Sequence, residues 1–255
     1  MSLKCGIVGL PNVGKSTLMN ALVGERLSII TSKAQTTRHR ILGLINTDEY
    51  QIVFSDTPGM LKPKYELHKS MMGFVHLTLE DADVIVFVTD LFESDEEIEE
   101  VIQKINASGA PILLVINKID LAKEGQLEEV TAYWTARIQA ATVIPISALE
   151  KFNTERILQE IVERLPVHPP FYDKEELTDR PERFFASEII REKIFTNYKK
   201  EIPYSTEVGI EDFHEEEQII RIRATIFVER NSQKGIVIGD KGKMLKKVGT
   251  EARHD

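Results

Sequence analysis

Gly9-Leu10-Pro11-Asn12-Val13-Gly14-Lys15-Ser16 reads G-x-x-x-x-G-K-S, the pattern of a phosphate-binding loop. Before it, residues 4–8 form a short, mostly apolar run suited to a buried parallel strand. After it, Thr17-Leu18-Met19-Asn20-Ala21-Leu22 carries apolar residues at helical spacing. Strand, glycine loop and helix are the context the pattern needs. The glycines let backbone N–H groups from Asn12, Val13 and Gly14 on to Thr17 turn inward around phosphate oxygens, and the helix N-terminus adds partial positive charge. Lys15 is then the side chain that reaches the β- and γ-phosphates, and the Ser16 hydroxyl takes one position on Mg²⁺. The plain alternative is a chance glycine loop, which further motifs must decide.

Those motifs follow in order. Residues 27–40 are polar, threonine-rich and basic, ending Gln35-Thr36-Thr37-Arg38-His39-Arg40, with neither helical nor strand periodicity. Residues 41–46 and 50–55 read as a hairpin, which predicts one antiparallel strand in the sheet. Asp56-Thr57-Pro58-Gly59 comes directly after it, at the sheet edge where ligands collect. There Asp56 can hold Mg²⁺ through a water and Gly59 can offer its N–H to a γ-phosphate. Residues 84–88 are a central strand. The acidic stretch 93–100 opens a helix with Ile98, Val101, Ile102 and Ile105 on one face, its acids suited to the helix dipole. Residues 111–116 form another buried strand ending in Asn117-Lys118-Ile119-Asp120. A carboxylate at Asp120 accepts two hydrogen bonds from guanine, at N1–H and the 2-amino group. Adenine offers neither donor, so an ATP site would leave that carboxylate unpaired. Residues 143–146 give a last strand, followed by Ser147-Ala148-Leu149, where the Ala148 N–H can meet guanine O6.

Four motifs in order, each at a strand end, make residues 4–165 resemble the translation-factor-like small GTPases. That resemblance implies GTP and GDP as ligands. It also implies a switch threonine that completes the Mg²⁺ shell, for which Thr37 is the choice and Thr36 the alternative. After Gly59 stands Met60, where related proteins place a water-orienting glutamine; a thioether cannot orient water by hydrogen bonding. Asn12 matches the position that helps bind K⁺ in some such GTPases, against a plainer role bracing the loop. The expectation is slow hydrolysis alone, catalysed through Lys15, Asn12 and Thr37 and stimulated by K⁺.

The rest of the chain bounds its partners. Its 255 residues allow one large or two medium domains, and 42% hydrophobic with 29% charged content suits a soluble globular protein. The one cysteine, Cys5, falls in a strand and suits a reducing cytoplasm. No apolar signal region opens the chain and no apolar run is long enough for a transmembrane segment. Net charge is −9, yet residues 230–253 are locally basic through Arg230, Lys234, Lys241, Lys243, Lys246, Lys247 and Arg253. Such a stretch suits phosphate contact.

Prolines 166, 169, 170 and 181 mark a linker over residues 169–182 between a nucleotide domain, 1–168, and a second domain, 183–255. In that domain residues 183–200 suit an amphipathic helix with Phe185, Ile189, Phe195 and Tyr198 on one face, interrupted by Glu192. Residues 205–213 and 218–229 suit strands around a Glu215-Glu216-Glu217 tip. Residues 232–238 suit a helix before Gly239-Asp240-Lys241-Gly242, and residues 243–250 another. This order resembles the bacterial (type II) KH domain, whose G-x-x-G loop clamps single-stranded backbone phosphates. Lys243, Lys246 and Lys247 flank that loop, while Asp240 departs from its usual neutral or basic residue.

A phosphate-loop domain of mostly parallel α/β class, the Gln35–Arg40 motif, Met60 and a smaller α+β KH-like domain together resemble the Era GTPase family. The resemblance implies binding to 16S ribosomal RNA near its 3′ end, a role in assembly of the 30S subunit, and peripheral association with the cytoplasmic face of the inner membrane. It also implies a final KH strand beyond residue 255. A structural RNA-binding adaptor whose nucleotide site only sets domain geometry is the competing reading.

Overall fold

The computed structural model describes residues 1–92 and 98–255. The chain divides into two compact units, Met1–Ser28 with Thr37–Asp179, and Ile29–Thr36 with Arg180–Asp255.

The first unit is a six-stranded sheet in the order β2-β3-β1-β4-β5-β6. Its strands are β1 (Ser2–Gly9), β2 (Ile41–Asn46), β3 (Gln51–Asp56), β4 (Val84–Asp90), β5 (Ile112–Asn117) and β6 (Thr142–Pro145). All pairings are parallel except β2 with β3, as the hairpin predicts. β4 and β5 are buried at every position, which is why they read as continuous apolar runs without alternation. Helices α1 (Lys15–Val23), α2 (Glu66–Asp81), α3 (Glu99–Ala107) and α4 (Gln126–Thr135) connect successive strands, and α5 (Thr154–Val162) follows β6. The expected acidic helix opening falls partly on residues 93–97, outside the described residues. From Glu99 on, Val101, Ile102 and Ile105 are buried as expected, and so is Ile98 just before the helix.

The proline-rich segment is not wholly a free linker. Residues 169–179 belong to the first unit. Gln51 holds them: its Oε1 accepts the Phe171 N–H at 2.7 Å and the Tyr172 N–H at 3.1 Å, and its amide donates to Tyr172 O at 3.0 Å. Phe171 and Tyr172 pack on Leu42, Leu44 and Val53. Further along, the Leu44 N–H donates to Leu177 O at 2.9 Å and the Asn46 amide to Glu176 O at 2.8 Å. Proline composition signals the absence of regular structure, and here long-range apolar contact then seats the irregular chain.

The second unit contains α6 (Glu182–Asn197), β7 (Thr206–Glu216), β8 (Ile219–Val228), α7 (Asn231–Ile238) and α8 (Lys243–Ala252). β7 and β8 pair antiparallel, with a register shift between Ile210 and Asp212. Glu215 and Glu216 lie within β7, so the turn is shorter than the expected three-glutamate tip. The core is Ile194, Tyr198, Ile202, Val208, Val237 and Val248. On α6, Glu188, Arg191 and Glu192 are buried, whereas Phe185 is only half-buried. An apolar-face reading misses this, because Arg191 and Glu188 pay their desolvation in a bidentate pair at 2.7 and 2.5 Å.

Candidate functional site

The ends of β1, β3, β5 and β6 carry the four predicted motifs. At the first, Gly14 has φ +95° and forms the N-cap of α1. That left-handed conformation turns the loop into the helix, and a Cβ there would drive into the Asn117 side-chain amide. Lys15 is 5% exposed, its Nζ donating to Leu10 O at 2.6 Å. Gly59 closes on the same loop: an added Cβ would lie 2.5 Å from Pro11 Cα. The Met60 N–H donates to Gly9 O at 2.9 Å, and the Met60 side chain is fully buried.

Ser16, Thr37 and Asp56 come together. Ser16 Oγ donates to Asp56 Oδ2 at 2.6 Å and lies 3.0 Å from Thr37 Oγ1. Thr36 faces elsewhere, its hydroxyl donating to Lys33 O at 2.8 Å. Asp56 is completely buried, and its Oδ1 has no hydrogen-bond partner among the described residues. Burial pushes its pKa up, against the lowering effect of Ser16, Lys15 and Ser28. Two hydroxyls and an orphaned carboxylate oxygen are hard donors. They fit Mg²⁺, which keeps waters and substrate phosphates in its remaining positions.

Two members of this network carry no motif. Ser28 Oγ donates to Asp56 Oδ2 at 2.8 Å, a second clamp on the same oxygen. Asn20 of α1 places it, accepting the Leu27 and Ser28 N–H groups at 3.1 and 3.0 Å and donating to Ser28 O at 2.7 Å. The only sequence signal is a polar Asn inside an otherwise apolar helical run.

Asn117 ties the loops after β5 and β6 to the glycine-rich loop after β1. Its Nδ2 donates to Val13 O at 2.7 Å and its Oδ1 accepts the Ala148 N–H at 2.9 Å. That Ala148 donor is therefore engaged inside the protein, so the expected contact with guanine O6 would have to share it or displace Asn117. Lys118, with φ +63°, sends Nζ to Asn12 O at 2.7 Å and to the buried Asp90 at 2.5 Å. Asp90 is a third residue that motif reading passes over. Asp120 is exposed and has no partner among the described residues, leaving its carboxylate open to a base. Ser147 is buried and bonds locally, whereas Leu149 is 75% exposed. Asn12 itself is exposed with φ +65°; its side chain has no partner among the described residues. Thr17 continues α1 from the loop.

In the second unit, Gly239 (φ +71°), Lys241 (φ +49°) and Gly242 (φ +79°) turn the chain from α7 into α8. Lys241, Lys243, Lys246 and Lys247 are exposed. Asp240 pairs with Lys243 at 3.2 Å, so its repulsion of a phosphate is partly offset within the loop. Lys247 faces Glu251 at 3.7 Å.

Comparison with known proteins matches this geometry. Residues 4–118 match the family model described as 50S ribosome-binding GTPase, and residues 201–255 match the KH domain model. The chain is 46% identical over 252 residues to the GTPase Era of Geotalea daltonii, covering 98% of this chain and 84% of the relative. It is 44% identical to that of Syntrophus aciditrophicus over 98% of this chain and 83% of the relative. Among solved structures, an Aquifex aeolicus Era variant bound to GDP·AlF4⁻ matches at 38% identity. Its TM-score is 0.92, covering 99% of this chain and 87% of that one. An Era in complex with MgGDPNP and nucleotides 1506–1542 of 16S ribosomal RNA matches with the same values. The chain is a GTPase with a KH domain, and it belongs to the Era family.

Proposed function

We propose that this GTPase is a molecular switch that binds 16S rRNA near its 3′ end and acts in assembly of the 30S subunit. Residues 1–168 serve as the nucleotide domain and 183–255 as the RNA-binding domain. The observation that carries the reading is the similarity, over 99% of the chain, to an Era that holds MgGDPNP and a 16S rRNA fragment. The exposed lysines around residues 239–242 supply the matching chemistry, since cations beside a glycine loop meet single-stranded phosphates by counterion release.

In the nucleotide site, Lys15 and the N–H groups of residues 12–17 hold the phosphates. Ser16, Thr37 and Asp56 orient Mg²⁺, which neutralises charge between the β- and γ-phosphates. Asp120, with Asn117 and Lys118 holding its loop, selects guanine. Asn12 would hold K⁺ through its side-chain oxygen, and a cation there would supply charge stabilisation that no glutamine supplies at position 60. The buried Met60 favours, as the second reading, an RNA adaptor with little turnover. Peripheral membrane association belongs to the same family reading; among the described residues no helix is long and apolar enough to cross a membrane.

Crosslinking of cellular RNA to the full chain in GTP-analogue and GDP forms, with sequencing of the fragments, tests the proposal. Enrichment of the 16S rRNA 3′ region is expected. Crosslinks spread evenly over unrelated RNAs would sink it.

A further inference from the structure

The loop between α1 and β2 is split between the units: Ile29–Thr36 belongs to the second and Thr37 to the first. Inside the second unit that segment is fastened to α6. Lys33 Nζ donates to Tyr198 O at 2.5 Å and also to Phe195 O. Both carbonyls lie at the C-terminal end of α6, where the helix has no further N–H to offer and its dipole favours a cation. Three residues before Lys33 lies a second fastening, where the Ile30 N–H donates to Glu192 Oε1 at 3.1 Å. The segment is also cross-braced. The Thr31 and Thr36 hydroxyls are 2.5 Å apart, the Lys33 N–H donates to Thr31 Oγ1 at 3.2 Å, and Thr36 Oγ1 donates to Lys33 O at 2.8 Å. The next residue is Thr37, 3.0 Å from Ser16.

Tyr198 has a second attachment. Its hydroxyl donates to Val237 O at 2.6 Å, from a side chain only 4% exposed. Val237 stands in the last turn of α7, two residues before Gly239 opens the G-x-x-G loop. One residue therefore receives Lys33 on its main chain and holds the approach to the loop with its side chain.

We propose that Lys33 is a latch that holds residues 29–36, the segment just before Thr37, on α6, and that Tyr198 transmits the state of the latch to residues 239–242. The transmission rests on the RNA reading above; the latch does not. Coupling of this kind is reciprocal: whatever nucleotide does to RNA affinity, RNA does to nucleotide affinity by the same factor.

The full chain is compared as wild type, Lys33→Met, Lys33→Arg and Tyr198→Phe. Lys33→Met keeps the aliphatic stem and removes the donor. Lys33→Arg keeps a cation, and Tyr198→Phe keeps the ring without the hydroxyl. The first measurement needs no RNA: amide hydrogen exchange over residues 29–38 with Mg²⁺ and a non-hydrolysable GTP analogue. Lys33→Met is expected to speed exchange there by about tenfold with β1 peptides unchanged, reporting a local opening. Lys33→Arg recovers part of the protection. Exchange at 29–38 that is the same in Lys33→Met and wild type overturns the latch.

The second measurement is the affinity of an oligonucleotide with the 3′-terminal 16S rRNA sequence for the GTP-analogue and GDP forms. In wild type the two affinities differ by about fivefold or more. In Lys33→Met and Tyr198→Phe the difference falls to about twofold or less, with GDP affinity unaltered. A wild-type difference retained in both variants, or no difference in wild type, overturns the transmission. A wild type that binds no RNA in either form overturns the RNA reading, and the exchange measurement alone then judges the latch.

Discussion

The two units handle charge in opposite ways at the places where phosphate is expected. The nucleotide site draws its charges inward: Lys15 is 5% exposed, Asp56 0% and Asp90 2%. Each is aimed by neighbours that are themselves held. The second unit also buries charge, in Glu188, Arg191 and Glu192, but that charge serves the scaffold, and the lysines beside residues 239–242 stand in solvent. A small ligand whose groups must be placed to a fraction of an ångström calls for preorganised, desolvated donors. A polymer whose phosphates repeat along a flexible strand is met well enough by mobile cations, at low cost in order and with high sensitivity to salt.

The contrast breaks most sharply at Asp120. Asp120→Asn replaces one of the two acceptor oxygens that guanine's donors need with an NH2 donor, and is expected to weaken GTP binding by about a hundredfold or more, with xanthine nucleotide gaining, because a site built around such donors rejects mismatches by orders of magnitude. Equilibrium titration with both nucleotides checks this, and unchanged GTP affinity would remove Asp120 from base recognition. Next in size is the cation effect. With K⁺ at Asn12, turnover in KCl is expected to exceed that in NaCl at matched ionic strength by about tenfold, roughly 1.4 kcal/mol of barrier, and Asn12→Ala abolishes the difference. Equal rates in the two salts leave Asn12 as a brace.

Ser28→Ala tests whether the inner network is as tightly specified as its geometry implies. It strips one hydrogen bond from a fully buried carboxylate, which costs about 1.5–3 kcal/mol for a bond to a charged group. Chemical denaturation reads it, and the affinity for Mg²⁺ in the nucleotide complex falls with it. The smallest effect belongs to the exposed side of the comparison. Lys246→Ala is expected to lower RNA affinity by a modest, sequence-independent amount and to reduce the slope of log affinity against log salt by about 0.7. A slope unchanged by this substitution places Lys246 away from the strand.

These differences also explain which parts of the molecule are legible in its sequence. Gly9 to Ser16, Asp56 to Gly59, and Asn117 to Asp120 are legible because each works through backbone conformation and adjacent side chains, so the requirement is written in contiguous residues. The one antiparallel pairing followed from two short β runs around a turn. Ser28 and Asp90 were not legible, since each meets its partner only after distant segments fold together, and a lone Ser or Asp carries no pattern. Helices α2, α4 and α5 carry no motif of that kind either. In α4 the only buried residue is Trp134, which leaves little apolar periodicity to read. The reading of α6 failed for a different reason: apolar spacing cannot anticipate that Glu188 and Arg191 neutralise one another inside the core.

The seating of residues 169–179 on the first unit has a further effect. β2 is the outermost strand of the sheet, with one side not paired to another strand. Bare strand borders recruit other chains and seed aggregation. Leu177 O takes the Leu44 N–H, Glu176 O takes the Asn46 amide, and Phe171 with Tyr172 covers the apolar surface of Leu42 and Leu44. The stretch that leaves the first unit thus doubles as a guard rail, shielding the border of the nucleotide-binding sheet from strands of other copies.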